Sequence, residues 1–211
     1  MQALKDAVRI VKENARAYVT MNLVYYGLTF GAMLFVLVYP AVQEQLLETV
    51  RKSFQHGFMK PVASAYQGGH VFAAILLTFV VNLLGGSLLT ITLPSLVVPF
   101  SGLTMGVLRA TLWGLLLSPG NERLGWAMLP HSLTLLLEGQ AYVLTMLAAY
   151  VQGKCFVLPR SMGATTCGQG YAAGVRLSVK IYRLVVLFLA VSAVYEALEV
   201  IYVVPLLTGW H

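Results

Sequence analysis

The segment from Phe72 to Leu108 contains no Asp, Glu, Lys or Arg, and this uncharged run limits the possible folds more than any other feature of the sequence. A helix that crosses a bilayer needs about 20 apolar residues, so the run can hold most of two spans. The chain of 211 residues is 58% hydrophobic and only 10% charged, whereas soluble domains carry about 25% charged residues. The sequence therefore predicts an all-α integral membrane protein.

Apolar runs separated by Pro, Gly and charged residues predict a five-span helical bundle in one membrane domain. The predicted spans are residues 18–39, 70–93, 95–117, 126–150 and 181–206. The break between the second and third spans is placed near Pro94, because proline interrupts a helix. The segment from Val151 to Lys180 is rich in Gly, Ser and Thr and is predicted to be a polar connection with a helical end.

Two amphipathic surface helices are predicted beside the spans. In residues 1–17 two stripes run in parallel at helical spacing: an apolar one of Leu4, Val8, Val11 and Ala15, and a basic one of Lys5, Arg9, Lys12 and Arg16. This interfacial helix is expected to bind anionic cytoplasmic lipid, although a simply solvated basic face would show the same pattern. The second helix is predicted in the outer loop from Ala41 to Gly69, where it would either lie on the membrane or dock a partner.

The distribution of Lys and Arg predicts the orientation in the membrane. With the N-terminus in the cytoplasm and the C-terminus outside, nine basic residues are cytoplasmic, namely Lys5, Arg9, Lys12, Arg16, Lys154, Arg160, Arg176, Lys180 and Arg183. Five fall on the outer side, namely Arg51, Lys52, Lys60, Arg109 and Arg123. Orientation accounts for the net charge of +6, so no nucleic-acid partner is predicted.

Small residues within the spans predict close helix packing, because glycine lets two backbones approach. The candidate packing residues are Gly27, Gly31, Gly85, Gly86, Gly102 and Gly106. Faces of this kind also join copies of a chain in the bilayer, so we expect a homo-oligomer.

Ionisable and amide side chains inside the predicted spans form the candidate functional cluster. They are Asn82, Arg109, His131, Glu138, Glu196 and Glu199. An ionised group near the midplane costs several kcal/mol unless it is paired or faces water, so Arg109 is expected to pair with Glu138 or Glu196. Such a cluster either lines a polar path or only sets which helix faces inward.

The sequence contains no motif that would make the cluster catalytic. There is no HExxH pattern for zinc and no GxSxG turn for a nucleophilic serine. We therefore predict no catalytic residue, no metal, no cofactor and no enzyme activity.

Four segments in order resemble the stage II sporulation protein M family of membrane proteins. They are Asn82 with Gly85-Gly86, Ser101-Gly102 followed by Gly106, Leu129-Pro130-His131, and Ala193–Leu198. The resemblance implies a five-span helical protein that acts with partner proteins at the cell envelope, as the namesake does with cell-wall-degrading partners. The leading prediction is a membrane scaffold or complex subunit, and the alternative is a permease that uses the intramembrane polar cluster.

Overall fold

A computed structural model describes residues 2–120 and 125–209, and this part of the chain is helical without any β-strand. The helices are α1 (Gln2–Glu13), α2 (Ala15–Val38), α3 (Pro40–His56), α4 (Lys60–Gln67), α5 (Val71–Val80), α6 (Leu93–Val97), α7 (Ser101–Leu116), α8 (Met128–Val157), α9 (Cys167–Leu198) and α10 (Val204–Thr208). A short 3₁₀ turn covers Pro159–Met162. Arg123, which was counted on the outer side, lies outside the described residues.

Four helices in the described part are long and apolar enough to cross a membrane. They are Ala15–Val38, Val71–Val97, Met128–Val157 and Cys167–Thr208. This confirms the prediction of a helical chain with several membrane-length apolar helices, and it is consistent with a membrane protein.

The break between the predicted second and third spans lies after Pro94, not at it. The helix that begins at Val71 continues through Pro94 to Val97, and the chain reverses at residues 98–100, where Phe100 adopts a left-handed backbone with φ of 68°. Pro94 has no backbone N–H and cannot donate the hydrogen bond of a regular helix. The preceding segment, Val81–Thr92, has wide π-helical turns, and these already change which backbone groups are paired, so the helix continues through the proline.

The segment from Val151 to Lys180 does end in a helix, as predicted, but the polar connection before it is much shorter than predicted and covers only residues 158–166. Helix α8 runs to Val157 and α9 starts at Cys167. Gly170 and Gly174 of this segment are packing residues: a Cβ at Gly170 would lie 2.1 Å from the carbonyl oxygen of Cys155, and one at Gly174 would lie 2.9 Å from Cα of Gln152. They let α9 lie directly against α8, the most deeply buried helix, in which residues 141–149 are all buried.

The first helix packs against α9 at the end of the bundle where α8 ends. Its Ala7 and Ile10 are buried, whereas Leu4 and Val8 of the predicted apolar stripe are exposed. The guanidinium of Arg183 donates a 3.0 Å hydrogen bond to the carbonyl oxygen of Ala3. Helix α1 is therefore held on the bundle by one side and leaves a second apolar edge uncovered.

Glycines divide into two groups by what surrounds them. A Cβ at Gly86, Gly102 or Gly106 would meet atoms of a neighbouring helix at 2.8 Å or less. No such atom lies within 4 Å of that position at Gly27, Gly31 or Gly85 among the described residues. The first group sits at helix contacts inside the bundle, and the second has open space where a side chain would begin, as far as the described residues show.

Candidate functional site: an acidic cavity between the helices

The predicted polar residues meet around a cavity of about 360 Å³. Helices α2, α7, α8, α9 and the Val71–Val97 helix form its walls, and α3 and α4 cover it from one side. Apolar and aromatic side chains line most of it, and the polar lining includes Asn82, His131, Glu138 and Glu196. A volume at the lower end of the usual range for ligand pockets, roughly 300–1,000 Å³, suits a small solute.

Glu138 and Glu196 form the acidic centre of this cavity. The side chain of Glu138 is 6% exposed, and its Oε1 accepts a 2.5 Å hydrogen bond from Nδ2 of Asn82. The side chain of Glu196 lines the same cavity. Two carboxyl groups that face one buried cavity, with no cation of the described residues paired directly to either, repel each other when both are ionised, which favours a state in which the pair keeps one proton.

The third carboxylate, Glu199, is fully occupied by partners on α8. Its Oε1 lies 3.0 Å from Nδ1 of His131, and its Oε2 accepts a 2.7 Å hydrogen bond from the hydroxyl of Thr134. Glu199 is only 1% exposed, so both oxygens must find donors inside the protein. This arrangement ties the end of α9 to the start of α8.

Arg109 does not form the ion pair expected with Glu138 or Glu196. Its Nη2 instead donates a 2.5 Å hydrogen bond to the phenol oxygen of Tyr142, and its guanidinium lies 3.8 Å from the centre of that ring. The Tyr142 hydroxyl then donates to Oδ1 of Asn82 at 3.0 Å. Tyr142 and Asn82 thus connect the cation to Glu138, because the phenol occupies the space between the two charges.

The aromatic ring of Trp113 flanks the guanidinium of Arg109 on α7, with its centre 5.3 Å away. Cation–π contacts of this kind stabilise a partly desolvated guanidinium by roughly 0.5–2 kcal/mol. Arg109 is therefore stabilised inside the bundle without an ion pair to Glu138 or Glu196.

Helix α4 lines the cavity with Tyr66, whose hydroxyl lies 2.9 Å from that of Thr78. Burial raises the pKa of the Tyr66 phenol, and the nearby Glu196 carboxyl raises it further. The phenol therefore stays neutral and keeps its hydrogen for bonding. The short helix contributes a neutral polar group to a wall that is otherwise apolar.

Three polar residues of the site were missed in the sequence: Tyr66, Thr134 and Tyr142. Thr134, Glu138 and Tyr142 follow one another at four-residue spacing and therefore share one face of α8. That spacing was available in the sequence as a signal. Tyr66 carried no such signal, because its position depends on how α4 folds back over the bundle.

Wide turns occur at two of the cluster positions. Asn82 lies in the π-helical segment Val81–Thr92, and Glu199 begins a second one, Glu199–Val203. Each segment is followed within two residues by a proline, Pro94 or Pro205. Wide turns are frequent at functional sites because they re-aim side chains relative to a regular helix.

Among residues 2–120 and 125–209, no three His, Cys, Asp or Glu side chains are arranged to hold a metal ion. Comparison of the chain with protein-family models, with curated proteins and with solved structures gave no match. The resemblance to the stage II sporulation protein M family therefore stays a prediction carried by the motifs.

Proposed function

We propose that the chain crosses the membrane five times, with the N-terminus in the cytoplasm and the C-terminus outside. The fifth span is α7, whose 16 residues cover about 24 Å at 1.5 Å per residue. The apolar residues on both sides of it complete the thickness of the hydrocarbon core. In this arrangement α3 and α4 lie outside, and all members of the polar cluster fall in the outer half.

The N-terminal helix is proposed to rest on the cytoplasmic membrane surface. Its exposed Leu4 and Val8 would enter the interface while its basic residues meet anionic headgroups. Binding of a peptide of residues 1–17 to vesicles with and without phosphatidylglycerol tests this, and equal binding to both would contradict it.

Within this topology we propose that the protein is a permease that passes a small solute or ion through the acidic cavity. The supporting observation is that the Glu138–Glu196 pair faces a cavity although an arginine lies nearby on α7. If the cluster only fixed the orientation of the helices, a direct ion pair and a filled interior would stabilise the folded bundle more than an open cavity does. A desolvated carboxyl pair that keeps open space beside it suits reversible binding.

The two ends of the cavity differ in a way that agrees with transport by alternating access. Among the described residues, α3 lines it on the proposed outer side through Phe54, and α4 through Val62 and Tyr66. On the proposed cytoplasmic side the buried residues 141–149 of α8 fill the bundle. In this proposal the cavity is blocked toward the cytoplasm, and movement of α3 and α4 would open it outward.

Flux into liposomes tests the permease. Purified protein should catalyse uptake of protons or a small solute, and Glu196→Gln should abolish it. Glu48→Gln is the matched control, because Glu48 lies on the exposed face of α3 and pairs with Lys52. Absence of flux for every solute tried, in vesicles where the protein is correctly inserted, would contradict the proposal.

A second candidate is the scaffold or complex subunit that the family resemblance implies. The observation that favours it is the outward-facing pair Gly27 and Gly31 on α2, which none of the described helices covers. Such a pair permits a second copy or another membrane protein to approach closely. Gly27→Leu should reduce the oligomeric mass measured by light scattering in detergent, and an unchanged mass would contradict this role. Neither candidate assigns catalysis to the chain.

A further inference from the structure

The walls of the cavity indicate what kind of solute it binds, and this inference rests on the proposed permease. We infer that the solute is a small organic ammonium ion with apolar substituents, and that its binding releases the proton held between Glu138 and Glu196.

The lining combines two carboxyl groups with a large aromatic surface. The aromatic residues are Tyr25, Phe54, Tyr66, Trp113 and Tyr142. Aromatic faces attract an organic cation through the ring quadrupole, while the carboxyl pair supplies the counter-charge. One wall is therefore suited to the charged head and the rest to hydrocarbon.

Other classes of solute fit these walls less well. A hydrated metal cation needs about six oxygen ligands, whereas much of the cavity lining is hydrocarbon, including Met59, Val62, Leu117 and Leu135. An anion would be repelled by the carboxyl groups. A neutral solute would not compensate the buried charge that remains when the pair loses its proton.

The remaining titratable groups around the pair already have partners or are neutral. Those facing it are Arg109 on α7, His131 and Tyr142 on α8, Glu199 at the end of α9, Tyr66 on α4 and Tyr25 on α2. Glu199 is bonded to His131 and Thr134, and Arg109 is bonded to Tyr142. The proton that leaves when a cation enters is therefore the one shared by Glu138 and Glu196.

The exchange balances in charge. One O–H bond of the pair breaks, the proton passes to water, and one ammonium ion takes its place beside two carboxylates. The net charge inside the cavity is the same before and after the proton is exchanged for the ammonium ion, so the exchange buries no additional net charge. This gives the permease a direct coupling between proton and substrate.

Calorimetry with benzyltrimethylammonium tests the inference on the full chain in nanodiscs. This cation cannot itself lose a proton, and neopentylbenzene is its uncharged isostere. We expect the cation to bind with release of about one proton, measured by titration in two buffers of different ionisation enthalpy. The isostere and sodium should bind at least tenfold more weakly, and Glu196→Gln should remove the proton release.

A second pair of variants keeps the test decisive if Glu196→Gln does not fold. Phe54→Leu removes an aromatic ring from the lining and should weaken binding of the cation about 2- to 10-fold. Phe58→Leu is its control, because Phe58 is 80% exposed and lies outside the lining. Equal affinity of the two variants, equal binding of the isostere, or binding without proton release would overturn the inference.

Failure of this inference and failure of the permease give different results. Flux of protons or sodium without binding of benzyltrimethylammonium would overturn the ammonium assignment and leave the permease standing. Binding of benzyltrimethylammonium with proton release but without flux would support the ammonium site and contradict the permease.

Discussion

Replacing Gly86 by alanine should disturb the polar cluster, while the same change at the adjacent Gly85 should not. A Cβ at Gly86 would lie 2.8 Å from the Tyr142 hydroxyl and 3.2 Å from Nη2 of Arg109. At Gly85 nothing lies within 4 Å. Both glycines are in the same π-helical segment, so the two variants share the change in backbone entropy and differ in what the methyl group meets.

The magnitude follows from the hydrogen bonds that the methyl group displaces. Moving the Tyr142 hydroxyl strains its bonds to Arg109 and Asn82. Overpacking of this kind costs about 1–3 kcal/mol, and a weakened buried hydrogen bond adds roughly 1 kcal/mol. Replacing glycine by alanine also lowers the conformational entropy of the unfolded chain, which stabilises both variants by about 0.4–1 kcal/mol and therefore cancels in their difference. Gly86→Ala should therefore be less stable than Gly85→Ala by about 2–4 kcal/mol.

Thermal unfolding in one detergent, followed by the loss of helical circular dichroism, measures this difference. For a chain of this size about 1 kcal/mol corresponds to a shift of roughly 2–4 °C in Tm, so the two variants should differ by about 5 °C or more. The reasoning is refuted if Gly86→Ala melts at or above the temperature of Gly85→Ala.

Three further predictions concern the cation and the α8–α9 contact. Arg109→Lys keeps the charge but loses the planar group that lies over two aromatic rings, so thermal unfolding should show a loss of about 1–2 kcal/mol. Gly170→Ala should destabilise the fold by about 1–3 kcal/mol, because its methyl group meets backbone that cannot move aside, whereas Gly168→Ala enters open space and should be neutral. Maleimide should label the exposed Cys167 in the folded protein and the buried Cys155 only after unfolding, which mass spectrometry of the intact chain detects; equal labelling rates would contradict the packing of α8.

Positions of the apolar helices could be predicted from the sequence to within a few residues at several ends. The first span was predicted at 18–39 and α2 covers Ala15–Val38, because a long apolar run bounded by proline has few alternatives. The break at Pro94 and the length of the polar connection before Lys180 were wrong for a shared reason. Proline and glycine were taken as interruptions, whereas wide turns accommodate Pro94 and helix contact explains Gly170.

The members of the polar cluster were identifiable one by one, but their pairing was not. Intramembrane Glu138, Glu196 and Arg109 are conspicuous in an apolar sequence, and opposite charges suggest an ion pair. The angular positions of α7 and α8 place the Tyr142 phenol between the charges instead. No one-dimensional pattern contains that information, because it depends on the rotation of one helix relative to another.

The sequence by itself determined that this chain is helical and apolar, since a chain with so few charges must bury its backbone hydrogen bonds within helices. Only the tertiary structure decided that Glu138 and Glu196 face one cavity and that Tyr142 holds Arg109 beside it. The physical reason is the separation in sequence over which each kind of interaction acts. Hydrophobicity and hydrogen bonding along a helix act between residues a few positions apart, whereas the hydrogen bonds of this cluster join residues such as Asn82 and Tyr142, which are 60 positions apart.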